Sequence, residues 1–229
     1  MKKNLVAVAF AAATMLSTAA GAATLDDFNR PDAATLGSGW TQQSGSSSIV
    51  DGKATGSSLS LATFNGGSGN TVSFDLSSLT SGTSYIAAVL GYGAGDNYFI
   101  KVQNNGGGAF NTYGFYTGNN NSTGIFSSLN STFTSAHVTA SFVGTVATLT
   151  IDPTGGTQQV YTYDYRYTPG GTGIGLGFYG AAAADNFGSG AAGGAVPEPA
   201  TWALMILGFG VVGGAMRRRK AEQLATIAA

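Results

Sequence analysis

Four tyrosines, Tyr161, Tyr163, Tyr165 and Tyr167, recur at strict period two in the stretch QVYTYDYRY. That period puts them on one face of one strand, with Val160, Thr162, Asp164 and Arg166 opposite. Such a row has two uses. It can stack on sugar rings, because an aromatic face is apolar while its hydroxyl still hydrogen-bonds. It can equally fill a sandwich face, with the hydroxyls at the rim. A second aromatic group, Phe110, Tyr113, Phe115 and Tyr116, runs into an Asn-rich loop whose amides suit sugar hydroxyls.

Acid–base and nucleophilic chemistry is poorly provided for. Residues 23–195 hold nine aspartates and no glutamate. A retaining glycosidase needs two carboxylates about 5 to 5.5 Å apart. Here the aspartates are scattered and sit mostly at turns: Asp51 before Gly52, Asp96 before Asn97, Asp152 before Pro153. The single histidine, His137, alternates with Val138, Ala140 and Phe142, which places it on the polar face beside Thr139 and Ser141. A Ser-His-Asp triad stays formally open, but a surface histidine is the simpler reading. With no cysteine and one histidine there is neither a disulfide scaffold nor a zinc site. These residues point away from an enzyme. Nine aspartates against Arg30, Lys53, Lys101 and Arg166 leave the segment five charges negative, which disfavours nucleic acid.

The elements that must position these groups are strands. Val72, Phe74 and Leu76 alternate in NTVSFDL, SYIAAVLGY is a continuous apolar run, and HVTASFVGTVATLTID reads as a hairpin turning at Gly144. In NYFIKVQ, Phe99 shares a face with Lys101, read as solvated, and Ile100 and Val102 take the other. No stretch sustains an i, i+3, i+4, i+7 apolar pattern. About a dozen short strands separated by Gly, Asn and Ser turns imply an all-β fold, a two-sheet antiparallel jelly-roll sandwich. Only 9% of all residues are charged and 36 are glycine, yet 13 Phe and 10 Tyr argue for a packed core rather than a low-complexity coil.

The ends are built differently. Lys2 and Lys3 precede an uncharged apolar run, and Ala20 and Ala22 are the small residues of a cut before Ala23. This is the layout of a secretory signal peptide over 1–22, removed by signal peptidase after export by the general route. Residues 200–216 are uncharged and reach about 25 Å as a helix, within the range of membrane spans. Trp202 suits the membrane interface, and Arg217, Arg218, Arg219 and Lys220 would stay cytoplasmic, leaving the preceding domain outside.

Pro197-Glu198-Pro199, Trp202-Ala203, the apolar run and the arginines together resemble a PEP-CTERM sorting signal of the PEP-x-x-W-A subtype. That resemblance implies processing by exosortase, a membrane-embedded cysteine transpeptidase of Gram-negative bacteria that make exopolysaccharide. Glu198 and its flanking prolines would be the recognition element. The expected layout is a signal peptide (1–22), a jelly roll (23–190), a Gly/Ala linker (191–196), the sorting signal (197–220, spanning helix 200–216, basic cluster 217–220) and a cytoplasmic tail (221–229).

A second resemblance covers the middle. LDDFNRPDAATLGSGWT and GLGFYGAAAADNFGSG are similar to the opening and closing strands of concanavalin A-like jelly rolls of the laminin-G and lectin type. In that family the first and last strands pair, which fits the echo of Asp26-Asp27-Phe28 in Asp185-Asn186-Phe187. The resemblance implies glycan binding, and Ca²⁺ as the one ion to consider, held by Asp26, Asp27, Asp185 and Asn186 through oxygen ligands. No other cofactor is expected. The family's glucanases carry a Glu-x-Asp-x-x-Glu strand, which this segment lacks. The expected function is that of an exported protein passing through the inner membrane to the cell surface or extracellular matrix. There the jelly roll is structural or binds extracellular polysaccharide. The alternatives are an unprocessed membrane-anchored lectin and a diverged glycan hydrolase.

Overall fold

The computed structural model describes residues 23–56, 58–78, 82–93, 96–118 and 122–190. The expected signal peptide, linker, sorting signal and tail lie outside these residues. The described residues belong to one compact unit, Gly21–Ala192. They contain strands and no helix, so none is long and apolar enough to cross a membrane.

The strands form two antiparallel sheets in a jelly-roll sandwich. One sheet runs in the order β13 (Gln159–Asp164), β12 (Val146–Pro153), β11 (Ser135–Val143), β6 (Thr71–Ser78), β15 (Ala182–Gly190), β4 (Lys53–Gly56), β3 (Ser47–Val50), with β1 (Ala23–Asp26) also paired to β15. The other runs β10 (Ser122–Phe133), β9 (Phe110–Thr117), β8 (Asp96–Asn105), β7 (Thr83–Gly93), β14 (Gly173–Tyr179), β5 (Ser60–Ser68), β2 (Trp40–Ser44). The first and last strands pair as the echo implied: Ala23 lies opposite Ser189 and Thr24 opposite Gly188. The β11–β12 hairpin turns at Gly144, whose φ of 58° is cheapest for glycine.

Alternation supplies the core between the sheets. Val72, Phe74, Leu76, Val138, Ala140, Leu149 and Ile151 come from one inner face; Ile86, Ala88, Leu90, Ile100, Val102, Phe115, Leu176 and Phe178 come from the other. All are 2% exposed or less. Each such large side chain contributes about 1.5–3 kcal/mol by leaving water. One end is closed by a clasp around Asp26. Its carboxylate accepts from both Arg30 guanidinium nitrogens (2.7 and 2.9 Å), from Trp40 Nε1 (2.7 Å) and from the Phe28 amide (2.9 Å). Trp40 in turn packs against Phe28, Phe64 and Phe187, with ring centroids 4.8 to 5.6 Å away.

Candidate functional site

The outer face of the second sheet is also apolar. β7 presents Ile86, Ala88 and Leu90 inward but Tyr85, Ala87 and Val89 outward, and the outward set packs with Leu61 and Phe99 in a second cluster. This is why SYIAAVLGY is apolar without a break. Small residues make room for the rings. A Cβ on Gly177 would meet Phe99 Cε2 at 2.3 Å, and one on Gly114 would meet Tyr116 Cε2 at 2.4 Å. Both rings therefore lie flat on the sheet over a glycine.

Lys101 sits in the middle of this face, and it corrects the expectation of a solvated lysine: it is 5% exposed. Its cross-strand neighbours in register are Ala87 and Gly114, neither of which has bulk. The larger side chains around it close over its stem. Lys101 Nζ lies 4.7 Å from the Tyr85 ring centroid, 4.5 Å from Tyr116 and 5.3 Å from Phe126. The ring faces attract the ammonium. Burial acts the other way and lowers its pKa from 10.5 to about 8.

Beside Lys101 opens a pocket of about 260 Å³ lined by Leu59, Thr83, Tyr85, Lys101, Gln103 and Tyr179. Tyr179 is 42% exposed and stacks on Tyr85 at 5.6 Å with an 18° tilt. The Tyr85 hydroxyl is buried without a hydrogen-bond partner, and burial raises its pKa. Farther along, Tyr92 donates its hydroxyl to Gln43 Oε1 (3.1 Å), and Gln43 Nε2 donates to Thr63 (2.8 Å). Exposed rings beside amides and hydroxyls on a rigid sheet form a surface suited to sugar rings.

The row Tyr161, Tyr163, Tyr165 and Tyr167 does not offer such a surface. Its period holds, but β13 ends at Asp164, and Arg166 takes a φ of 63°. The rings point between the sheets. Tyr161 stacks on Tyr113 at 3.9 Å, Tyr163 on Phe115 at 5.7 Å and Tyr165 on Tyr98 at 4.0 Å. The hydroxyls are engaged as well. Tyr161 donates to Gln159 Oε1 (2.7 Å), Tyr165 to the Tyr116 carbonyl (2.8 Å) and Tyr167 to Asp96 (3.2 Å), while Tyr98 donates to the Tyr167 carbonyl. The row fastens the β13 edge of one sheet to β8 and β9 of the other.

The expected calcium ligands do not converge. Arg30, Trp40 and the Phe28 amide occupy both oxygens of Asp26. Burial alone would raise the Asp26 pKa, but the hydrogen bonds from Arg30, Trp40 and Phe28 outweigh it and hold the carboxyl below its ordinary value. Asp27 accepts from the Asn29 amide and Asp185 from the Asn186 amide, while Asn186 Nδ2 donates to Asp75. Among the described residues no three His, Asp or Glu side chains gather as a metal site.

A feature that sequence reading missed lies on the outer face of the first sheet. Asp152, His137, Asp75 and Asp185 stand in register across β12, β11, β6 and β15. His137 Nδ1 is 2.7 Å from Asp75 Oδ1, in an open groove of about 690 Å³. The groove's serines bond elsewhere: Ser135 to Thr154 and Ser77 to Lys53. Only pairwise register could have revealed this row, because its members are far apart in the chain.

Comparisons with known proteins bear on the tail. The protein-family model described as PEP-CTERM protein-sorting motif matches residues 195–220, the stretch holding Pro197, Glu198, Pro199, Trp202, Ala203 and Arg217 to Arg219. The motif marks a secreted, exosortase-sorted protein of the cell surface or extracellular space. No curated protein matches the chain. Among solved structures, the carbohydrate binding module CBM66 from Bacillus subtilis superposes with a TM-score of 0.48 at 16% identity, over 68% of this chain and 97% of that one.

Proposed function

We propose that this chain is an exosortase substrate whose jelly roll binds glycan on the outer face of the second sheet, around Tyr85, Tyr179 and Lys101. The observation that carries the reading is a sheet face covered with aromatic rings and ringed by amides and hydroxyls, with two rings, Tyr179 and Phe126, left open to solvent. The signal peptide (cut before Ala23), the spanning helix 200–216 and a Gram-negative host that makes exopolysaccharide complete the picture. The chain is exported, held at the inner membrane, cut near Pro197–Pro199, and delivered to the outer surface or matrix, where the sandwich meets polysaccharide.

Two measurements test this. Truncating the platform with Tyr179→Ala should weaken retention on polysaccharide affinity gels about 5- to 30-fold while leaving the fold intact, since a stacked ring contributes roughly 1–2 kcal/mol. Retention equal to wild type would refute the site. The intact mass of the mature protein, from hosts with and without exosortase, tests the sorting: loss of the residues beyond the Pro-Glu-Pro region only when exosortase is present is the expected result. A mass that keeps the whole tail in both hosts would favour an anchored, unprocessed lectin.

A further inference from the structure

We propose that the glycan held on this face is acidic, with a uronate carboxylate seated on Lys101 Nζ and against the Tyr85 hydroxyl; this rests on the glycan-binding reading above. Two unmet groups point to it. Lys101 is the cation of this face, and among the described residues no carboxylate lies within ion-pair distance of it. Five of the six strand aspartates, Asp26, Asp75, Asp152, Asp164 and Asp185, belong to the other sheet; the sixth, Asp96, opens β8 and holds Tyr167. Tyr85, 4% exposed, lines the same pocket, and its buried hydroxyl has no partner. A cation and an unpaired donor on two side chains of one pocket, with Lys101 Nζ 4.7 Å from the Tyr85 ring centroid, match the two oxygens of a carboxylate.

The energetics separate acid from neutral sugar. A neutral ring laid on Tyr179 would strip the remaining water from Lys101 Nζ and return no charge. A uronate ring would make the same stack and replace the lost hydration with an ion pair in a place poor in water. General charge attraction does not explain such binding, because the segment is five charges negative. Polyanion binding would have to come from this one lysine, not from a basic surface.

The face is also a pH gate for its ligand. Packed around Lys101 are Tyr85 from β7, Tyr116 from β9 and Phe126 from β10, with Gln103 on its own strand; none is an acid or an amine. Burial raises the pKa of both Tyr85 and Tyr116, so near neutral pH the lysine is the group that titrates.

The test uses the full chain in detergent and three polyuronates: polygalacturonate, alginate and hyaluronan. Each is paired with its carboxyl-reduced form, and affinities are measured by calorimetry. Wild type should bind at least one polyuronate about 30-fold more tightly than its reduced counterpart, the scale of losing one partner of a buried charge pair. Lys101→Met should abolish that preference, Tyr179→Ala should weaken both forms, and the wild-type preference should fall about tenfold between pH 7 and 9. The pH result needs no variant to fold. Equal affinity for acidic and reduced polymers, or a preference that survives Lys101→Met, would overturn the acidic assignment and leave the glycan reading standing. Binding to none of the six polymers would overturn both.

Discussion

Lys101 makes a measurable prediction about stability, independent of any ligand. Its pKa is about 8 in the folded protein against 10.5 for an ordinary lysine. Below pH 8 both folded and unfolded chains carry the charge, and the folded one pays for burying it. Between 8 and 10.5 the unfolded chain binds more protons than the folded one, so stability rises with pH. The Lys101 contribution alone integrates to about 2–3 kcal/mol between pH 7 and pH 10, less whatever the three ring faces return to the charged form. For a sandwich of this size that contribution by itself corresponds to roughly 5–10 °C in melting temperature. From about pH 9 a second trend opposes it and then takes over. Tyrosines in the unfolded chain ionise there, while burial pushes Tyr98 and Tyr167 up to about 12 and Tyr85 and Tyr165 higher still. Melting followed by near-ultraviolet circular dichroism at pH 7, 8, 9, 10 and 11 should therefore show a maximum between pH 9 and 10. Lys101→Met keeps the apolar stem and removes the charge. It should be more stable than wild type at pH 7 by about 2 kcal/mol, flat from pH 7 to 9, and then fall as the unfolded tyrosines ionise. A variant that is less stable at pH 7, or that still gains stability toward pH 10, would refute the account of a buried, uncompensated ammonium.

Other perturbations reach the remaining elements. Asp26→Asn leaves Arg30 without its carboxylate and should cost about 3 kcal/mol at neutral pH by denaturant titration. In wild type, the same contribution should fade as pH falls below 3.8 and through the lowered folded pKa of Asp26. Gly177→Ala drives a methyl into the fully buried Phe99 ring and should cost about 1–3 kcal/mol while weakening glycan retention. Tyr165→Phe leaves the Tyr116 carbonyl without its donor and should cost about 1 kcal/mol, with glycan retention unchanged because that ring faces the interior. Retention lost in Tyr165→Phe with the fold intact would return the binding site to the tyrosine row.

The strands were legible because alternation is local. Val72, Phe74 and Leu76, and the Gly144 hairpin, declare their faces within a few residues, and the repeated Asp-Asp/Asn-Phe marks the strands that close the sheet. What a face meets was not legible. Lys101 alternates with Ile100 and Val102 as a solvated residue would, and only the rings brought in by β7, β9 and β10 bury it. The tyrosine row is as periodic as a binding platform, but Tyr98, Tyr113 and Phe115 on the opposite sheet decide that it packs. Asp26 reads as a metal ligand until Arg30 and Trp40 are seen to fill its oxygens.

The order of the strands has a consequence for timing. β15 is the last strand in the chain, yet it lies inside its sheet, between β6 on one side and β4 and β1 on the other. β14, the last but one, is likewise inserted between β7 and β5. A chain that emerges from a membrane channel amino end first cannot close either sheet until these two strands have come through. Gly190 ends β15, and the sorting motif begins at residue 195. On the export route proposed above, the moment the sandwich can lock is thus the moment the sorting motif follows it out, so completion of the fold and presentation of the motif would become one event.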